Sequence, residues 1–119
     1  MYNNRKLGNE KELKAAAYLS DKGYNILEMN FSVRQAEIDI VASDADGTLV
    51  FVEVKYRSTN KSGSSLEAVT LSKQKKICRA ALSYLSIRNI NPETTSIRFD
   101  VIGIDGDTIT HIENAFQFV

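Results

Sequence analysis

Hydrophobic and polar positions along this chain follow two periods. From Thr48 to Arg57, TLVFVEVKYR, the period is two: Val50, Val52, Val54 and Tyr56 share one face, and Leu49, Phe51, Glu53, Lys55 and Arg57 the other. β-branched and aromatic residues predominate there without Gly or Pro, which predicts a strand. Glu37–Ser43 also alternates, with Ile38, Ile40 and Ala42 expected on one face and Glu37, Asp39 and Val41 on the other. Tyr24–Phe31, Ser96–Ile104 and Thr108–Glu113 complete the predicted strands, with Asn114–Val119 as an apolar tail. Arg5–Lys22 has helical spacing, with Leu13, Ala16, Ala17 and Ser20 on the expected inner face, Leu7 and Glu10 near it, and Gly23 as the stop signal. A second helix begins at a Thr70 or Ser72 cap and runs to about Asn89, burying Ile77, Ala81, Tyr84, Leu85 and Arg88 before Asn91-Pro92 breaks it. Ser32–Ala36 reads as a polar turn, Ser58–Ser65 as a loop and Leu66–Val69 as a short turn. The order helix, three strands, helix, two strands predicts an α+β fold with a mixed sheet.

The charged positions inside these patterns carry the chemistry. Glu53 and Lys55 lie two apart on one face of a very apolar strand. Charge taken out of water needs a partner or a metal. The preceding hairpin supplies a candidate. A two-residue turn at Asp46-Gly47 would put Ile40 across from Glu53. A three-residue turn, Ala45-Asp46-Gly47, puts Asp39 across from Glu53 and Glu37 across from Lys55, with Gly47 at the left-handed position such turns favour. Two acids roughly 4.5–5.5 Å apart at Cβ repel each other unless a cation lies between them. Asp39 and Glu53 then offer hard oxygen ligands suited to Mg²⁺ or Mn²⁺, and Lys55 is placed to touch a phosphate oxygen or to help deprotonate a metal-bound water. Glu10 has two readings: a solvated acid favourable to the helix dipole, or a carboxylate aimed at the sheet.

Composition narrows the classes. The chain has 119 residues, enough for one domain, 1–119, and 43% hydrophobic content can fill one core. No apolar run is long enough for a transmembrane helix, and the polar start lacks a signal-peptide pattern. With the single Cys78, expected to be buried packing, this predicts a soluble cytoplasmic protein. Formal net charge is zero, so nucleic-acid binding has to rest on local patches. One such patch opens the second helix, where Lys73, Lys75, Lys76 and Arg79 oppose the helix dipole and are candidates for phosphate contact. His111 has no ligand at a metal-binding spacing and is expected to be structural, and Asp100 sits inside a good strand without a nameable partner.

The segments GNEKELKAAAYLSDKGYNIL, AEIDIVA, FVEVKYR, SKQKKICRAALSYL, RFDVIGI and IENAF together resemble the YraN-like bacterial proteins. These are small relatives of archaeal Holliday-junction resolvases within the PD-(D/E)xK nuclease superfamily. The resemblance covers nearly the whole chain. It implies a restriction-endonuclease-like core, a central mixed sheet flanked by helices, and a divalent-metal nuclease site. On it, Glu10 corresponds to the helix-1 glutamate, Asp39 and Glu37 to the acids of a GEID segment, Glu53 and Lys55 to E-x-K, and Lys73 to a basic residue opening the second helix. Metal ligands would be Asp39, Glu53 and Glu10, with Lys55 as the catalytic lysine. Arg57, Lys73, Lys75, Lys76 and Arg79 would grip DNA. Resolving a four-way junction would require two sites about a two-fold axis, hence a homodimer. The chain departs from the family at Ala36, where glycine is usual. The alternative is a nucleic-acid-binding or accessory protein that keeps the fold without cutting, with Glu53 and Lys55 as a buried ion pair and Asp39 bonded to backbone.

Overall fold

The computed structural model describes residues 3–34, 36–57 and 69–119, with side chains from residue 10 onward except that of Arg57. The Ser58–Ser65 loop and most of the Leu66–Val69 turn lie outside the described residues. The elements are α1 (Asn3–Asp21), β1 (Asn25–Val33), β2 (Ala36–Ser43), β3 (Leu49–Arg57), α2 (Leu71–Ile87), β4 (Ile97–Asp105) and β5 (Thr108–Phe116). They form one mixed sheet in the order β1-β2-β3-β4-β5. Only β3 and β4 are parallel, because α2 carries the chain back between them; every other neighbour pair is antiparallel. The α+β class and the predicted element order hold. None of the described helices is long and apolar enough to cross a membrane.

Two cores separate the layers. Phe31, Ile38, Val41, Leu49, Phe51 and Phe99 pack beneath Ile77, Ala81, Tyr84 and Leu85 of α2. On the opposite face Ile40, Ala42, Val50, Val52, Ile102 and Ile104 pack against Ala15, Ala16 and Leu19 of α1. α2 buries the predicted residues except Arg88, which lies at the exposed C-cap and pairs with Glu28. Thr70 is the N-cap, its hydroxyl accepting from the Lys73 N–H, and Cys78 is buried as expected.

α1 is turned from its predicted orientation. Leu13 is 60% exposed, and Ala17 and Ser20 face solvent. The inner stripe is the half-buried Glu12 with buried Ala15, Ala16 and Leu19, at helical i, i+3, i+4, i+7 spacing. Small alanines let the helix approach the sheet closely, whereas the predicted face was chosen for Leu13. At its end Gly23 adopts φ +94°, and Tyr24 N–H bonds Leu19 O at 3.0 Å, closing the helix where the stop was read.

The predicted alternation of β2 fails at one place. Ile38 packs on the α2 side, whereas Ile40 and Ala42 pack on the α1 side. Their β1 partners change sides with them: Phe31, opposite Ile38, joins the α2 core, and Met29, opposite Ile40, packs against the α1 core. Between these pairs lie Asn30 and Asp39. Asn30 has φ +56°, a left-handed conformation that asparagine tolerates better than most side chains, and it reverses the pleat there. Strand ends also moved. β1 and β2 run to a Val33–Ala36 pair, shortening the polar turn, and β5 continues to Phe116 through a bulge at left-handed Asn114.

Candidate functional site

The β2–β3 hairpin sets the site. Asp44 N–H bonds Thr48 O and Gly47 N–H bonds Asp44 O, both at 3.0 Å, enclosing the three residues Ala45-Asp46-Gly47. Gly47 has φ +86°, as the turn demands, and the Asp44 carboxylate accepts the Asp46 and Thr48 N–H groups at 2.9 Å. The resulting register pairs Ser43 with Leu49 and Ile40 with Val52. The next step in that register is Asp39 opposite Glu53, as the turn argument required. Backbone pairing stops at Ile40–Val52, and the Val54 N–H donates instead to Asp39 Oδ2 at 2.7 Å.

Asp39, at the point where the pleat reverses, is placed between the two layers. From the α1 side it faces Glu12, and on β3 it faces Glu53, and its charge is felt by both carboxyls. Glu53 is 5% exposed, with Lys55 Nζ at 3.8 Å and Lys73 Nζ of α2 at 3.7 Å. Burial, then the Asp39 charge, push the Glu53 carboxyl up to about 8 despite both lysines. Burial and Asp39 push Glu12 up to about 7, with Glu37 adding to the repulsion and an Asn30 hydrogen bond opposing it. Glu12 Oε1 is buried without a hydrogen-bond partner. Lys11 Nζ lies over the Tyr56 ring, 5.2 Å from its centroid, fastening this stretch of α1 to the end of β3.

The predicted site residues therefore divide. Asp39, Glu53 and Lys55 come together, with Lys73 beside them. Glu10 is exposed, and the acid α1 brings to Asp39 is Glu12, two residues on. The readable signal for Glu12 was its place on the alanine stripe with Ala15, Ala16 and Leu19. Lys75, Lys76 and Arg79 are exposed on α2, and Lys76 lines a groove with Lys73, Glu37 and Ala36. The side chain of Arg57 lies outside the described residues. Ala36 has no positive φ, so no glycine is needed there for conformational reasons.

The donor set fits a hard divalent cation: three clustered carboxyls, all oxygen ligands, and one buried oxygen left without a partner. As the side chains stand, no three such groups among the described residues converge on one point closely enough to hold an ion. Burial and the Asp39 charge favour the protonated forms of Glu53 and Glu12, and a cation would have to displace those protons.

A second buried cluster was invisible as a unit in the sequence. Asp100 is fully buried and accepts from Arg98 Nε and Nη2 at 2.8 and 3.0 Å and from the Asn114 N–H at 2.9 Å, with His111 Nε2 2.7 Å away. Arg98 also reaches Asp44 at 3.0 Å and Tyr24 Oη at 2.7 Å. Burial alone would raise Asp100, but the bonds from His111, Arg98 and Asn114 outweigh it and hold the carboxylate below its usual range. The expectation of a structural His111 agrees with this setting, in which its side chain is 3% exposed.

Residues 11–104 match the uncharacterised protein family UPF0102. UPF0102 proteins from Chlorobium chlorochromatii and Lachnoclostridium phytofermentans are 46% and 47% identical to the chain, each over 92% of it and over 90% and 92% of their own lengths. The crystal structure of SSO0001 is similar with a TM-score of 0.45 and 14% identity, covering 94% of this chain and 52% of that one. The chain belongs to the uncharacterised protein family UPF0102.

Proposed function

We propose that the Glu12–Asp39–Glu53 cluster is the Mg²⁺ or Mn²⁺ site of an endonuclease that hydrolyses DNA phosphodiester bonds, four-way junctions included. The observation that carries this reading is a third carboxyl, the half-buried Glu12, one of whose oxygens is buried without a partner. A structural ion pair uses one acid for each base. Here Glu12 crowds against Asp39 with one oxygen unsatisfied, and burial and the acids' mutual repulsion make the ionised cluster costly. Such a cost is expected where a cation is to be held. The resemblance to PD-(D/E)xK nucleases supports Asp39 and Glu53 as ligands; the helix-1 role, which it gave to Glu10, is assigned in this reading to Glu12, the α1 acid that meets Asp39.

Asp39, Glu53 and Glu12 would hold the metal, which supplies Lewis-acid stabilisation of a phosphoryl oxygen and a more acidic water. Asp39 is oriented for this by the Val54 N–H, and Glu53 by the rigidity of β3. Lys55, on the Glu53 face and 27% exposed, can orient the attacking water and meet the negative charge that develops on the phosphorane. Lys73, Lys75, Lys76 and Arg79 lie beyond it on α2 to hold the strand. The reading places the protein in the cytoplasm with its DNA, as a homodimer when a junction is cut on both sides.

The reading without catalysis also has its observation. Glu53 pairs with Lys55, and Asp39 accepts a backbone N–H, as a purely structural site would require. One assay separates the two. Labelled linear, flap and four-way-junction DNA is incubated with Mn²⁺ or EDTA, using the protein and its Lys55→Ala variant. Mn²⁺-dependent cutting that falls about 10²–10⁴-fold in the variant is expected. Cutting that survives the substitution, or none on any substrate with no Mn²⁺-induced rise in Tm, would sink the nuclease reading.

A further inference from the structure

Lys73 belongs to two places at once. Its ammonium is 3.7 Å from Glu53 Oε2, and its side chain also lines a groove of about 390 Å³ between the β1–β2 hairpin and the start of α2. Ser32, Val33, Ala36, Glu37 and Lys76 complete that lining. The groove is open and adjoins the carboxylate cluster, since Glu37 lies two residues before Asp39 and its charge is felt at Glu12. Lys73 is 38% exposed, whereas its Glu53 partner is 5% exposed. The lysine thus reaches the buried Glu53 carboxyl from a partly exposed position.

Charge bookkeeping gives this arrangement a consequence. With Lys73 turned toward Glu53, the described lining of the groove otherwise carries one cation, Lys76, and one anion, Glu37. A divalent cation bound by Glu53 neutralises that carboxylate and repels the ammonium. Lys73, turned outward, then joins Lys76, and the described groove lining holds two lysines against one glutamate. Building on the metal-site reading above, we propose that Lys73 is an exchangeable counter-ion: cation binding releases it from Glu53 to hold a phosphate of the DNA strand in the Ser32–Lys76 groove. Metal binding and DNA binding are then positively coupled through one side chain, with equal coupling in both directions. A neutral protein without metal would hold DNA weakly and tighten on it when the site is loaded.

The test reads binding, without turnover. Affinity for a fluorescein-labelled DNA duplex is measured across a salt series in EDTA and in Ca²⁺, alongside the Tm under each condition. The protein, Lys73→Met and Lys76→Gln are compared. The expected result is a Ca²⁺-induced rise in Tm and a roughly five- to tenfold gain in affinity at about 0.1 M salt, with a salt slope steeper by about one. Lys73→Met should keep the Tm rise and lose the gain and the added slope. Lys76→Gln should bind more weakly by the same factor with and without Ca²⁺. If Lys73→Met shows the full gain, the cation bridges carboxylates and phosphate by itself and the exchange is wrong, while the metal site stands. If Ca²⁺ and Mn²⁺ both leave Tm and affinity unchanged, the metal site falls and the exchange with it.

Discussion

Glu53 is the residue where the competing forces are easiest to weigh. Two lysines favour its charge, but burial and Asp39 oppose it and prevail, taking the carboxyl up to about 8. Gln has nearly the shape of the protonated acid and no charge to bury. Chemical denaturation in EDTA should therefore find Glu53→Gln and the unaltered protein alike at pH 5. At pH 8.5 the variant should be more stable, on the order of 4 kcal/mol. A variant less stable than the parent at both pH values would show that the lysine pairs dominate. Glu12 is tested by contrast with its neighbour. Glu12→Gln should abolish most of the Mn²⁺-induced rise in Tm, and Glu10→Gln should leave it unchanged. The opposite pattern would restore Glu10 to the site and remove Glu12. The meeting of Asp39, Glu53 and Lys55 was legible because turn length fixes the β2–β3 register by parity, even though the alternation of β2 breaks at Asp39. Glu12 was not, because a helix with few large apolar residues offers several plausible inner faces, and tertiary packing chose the one with alanines.

At the scale of elements, the break in alternation at Asn30 and Asp39 has the largest effect. Regular alternation through β2 would keep Ile38 and Ile40 on one face and confine Asp39 to the other. The reversal moves Ile38 to the α2 core and leaves Asp39 able to reach both Glu12 and Glu53. This was not readable from the residue pattern, since IDI fits a regular strand perfectly well. The signal was Asn30 on the neighbouring strand, a residue tolerant of left-handed backbone set between Met29 and Phe31. Asn30→Ala should cost about 1–2 kcal/mol, combining left-handed strain with loss of a hydrogen bond to Glu12. Asn30→Gly relieves the strain and should recover part of that loss in a urea titration. Equal losses for both would place the whole effect in the side-chain bond. The element order and most boundaries were legible, because capping residues, glycines and periodicity agreed with one another.

For the whole molecule, the two buried acid clusters give stability opposite dependences on pH. Asp100 is held below its usual range by Arg98, His111 and Asn114. Its contribution is present above the unfolded carboxylate's pKa and is lost as pH falls through the lower folded value. Glu53 and Glu12 are raised from 4.5 to about 8 and about 7. Between those limits the folded chain holds protons that the unfolded chain has released, so stability declines as pH rises from about 4.5 to 8. Without a divalent cation, stability is therefore expected to peak in mildly acidic solution. Mn²⁺ displaces the same protons, so its stabilising effect should grow with pH and move the optimum upward. Tm measured from pH 4 to 9 with EDTA or Mn²⁺ tests both arms. Asp100→Asn should lower stability by about 2–3 kcal/mol, because Arg98 loses its two bonds to the buried carboxylate and keeps only Asp44 as its anion. That loss should be constant above pH 5 and indifferent to Mn²⁺, since Asp100 secures the α1-side face and the β4–β5 bulge independently of the carboxylates around Asp39. A Mn²⁺ effect that stays the same from pH 5 to pH 8.5 would mean the cation binds somewhere other than these acids.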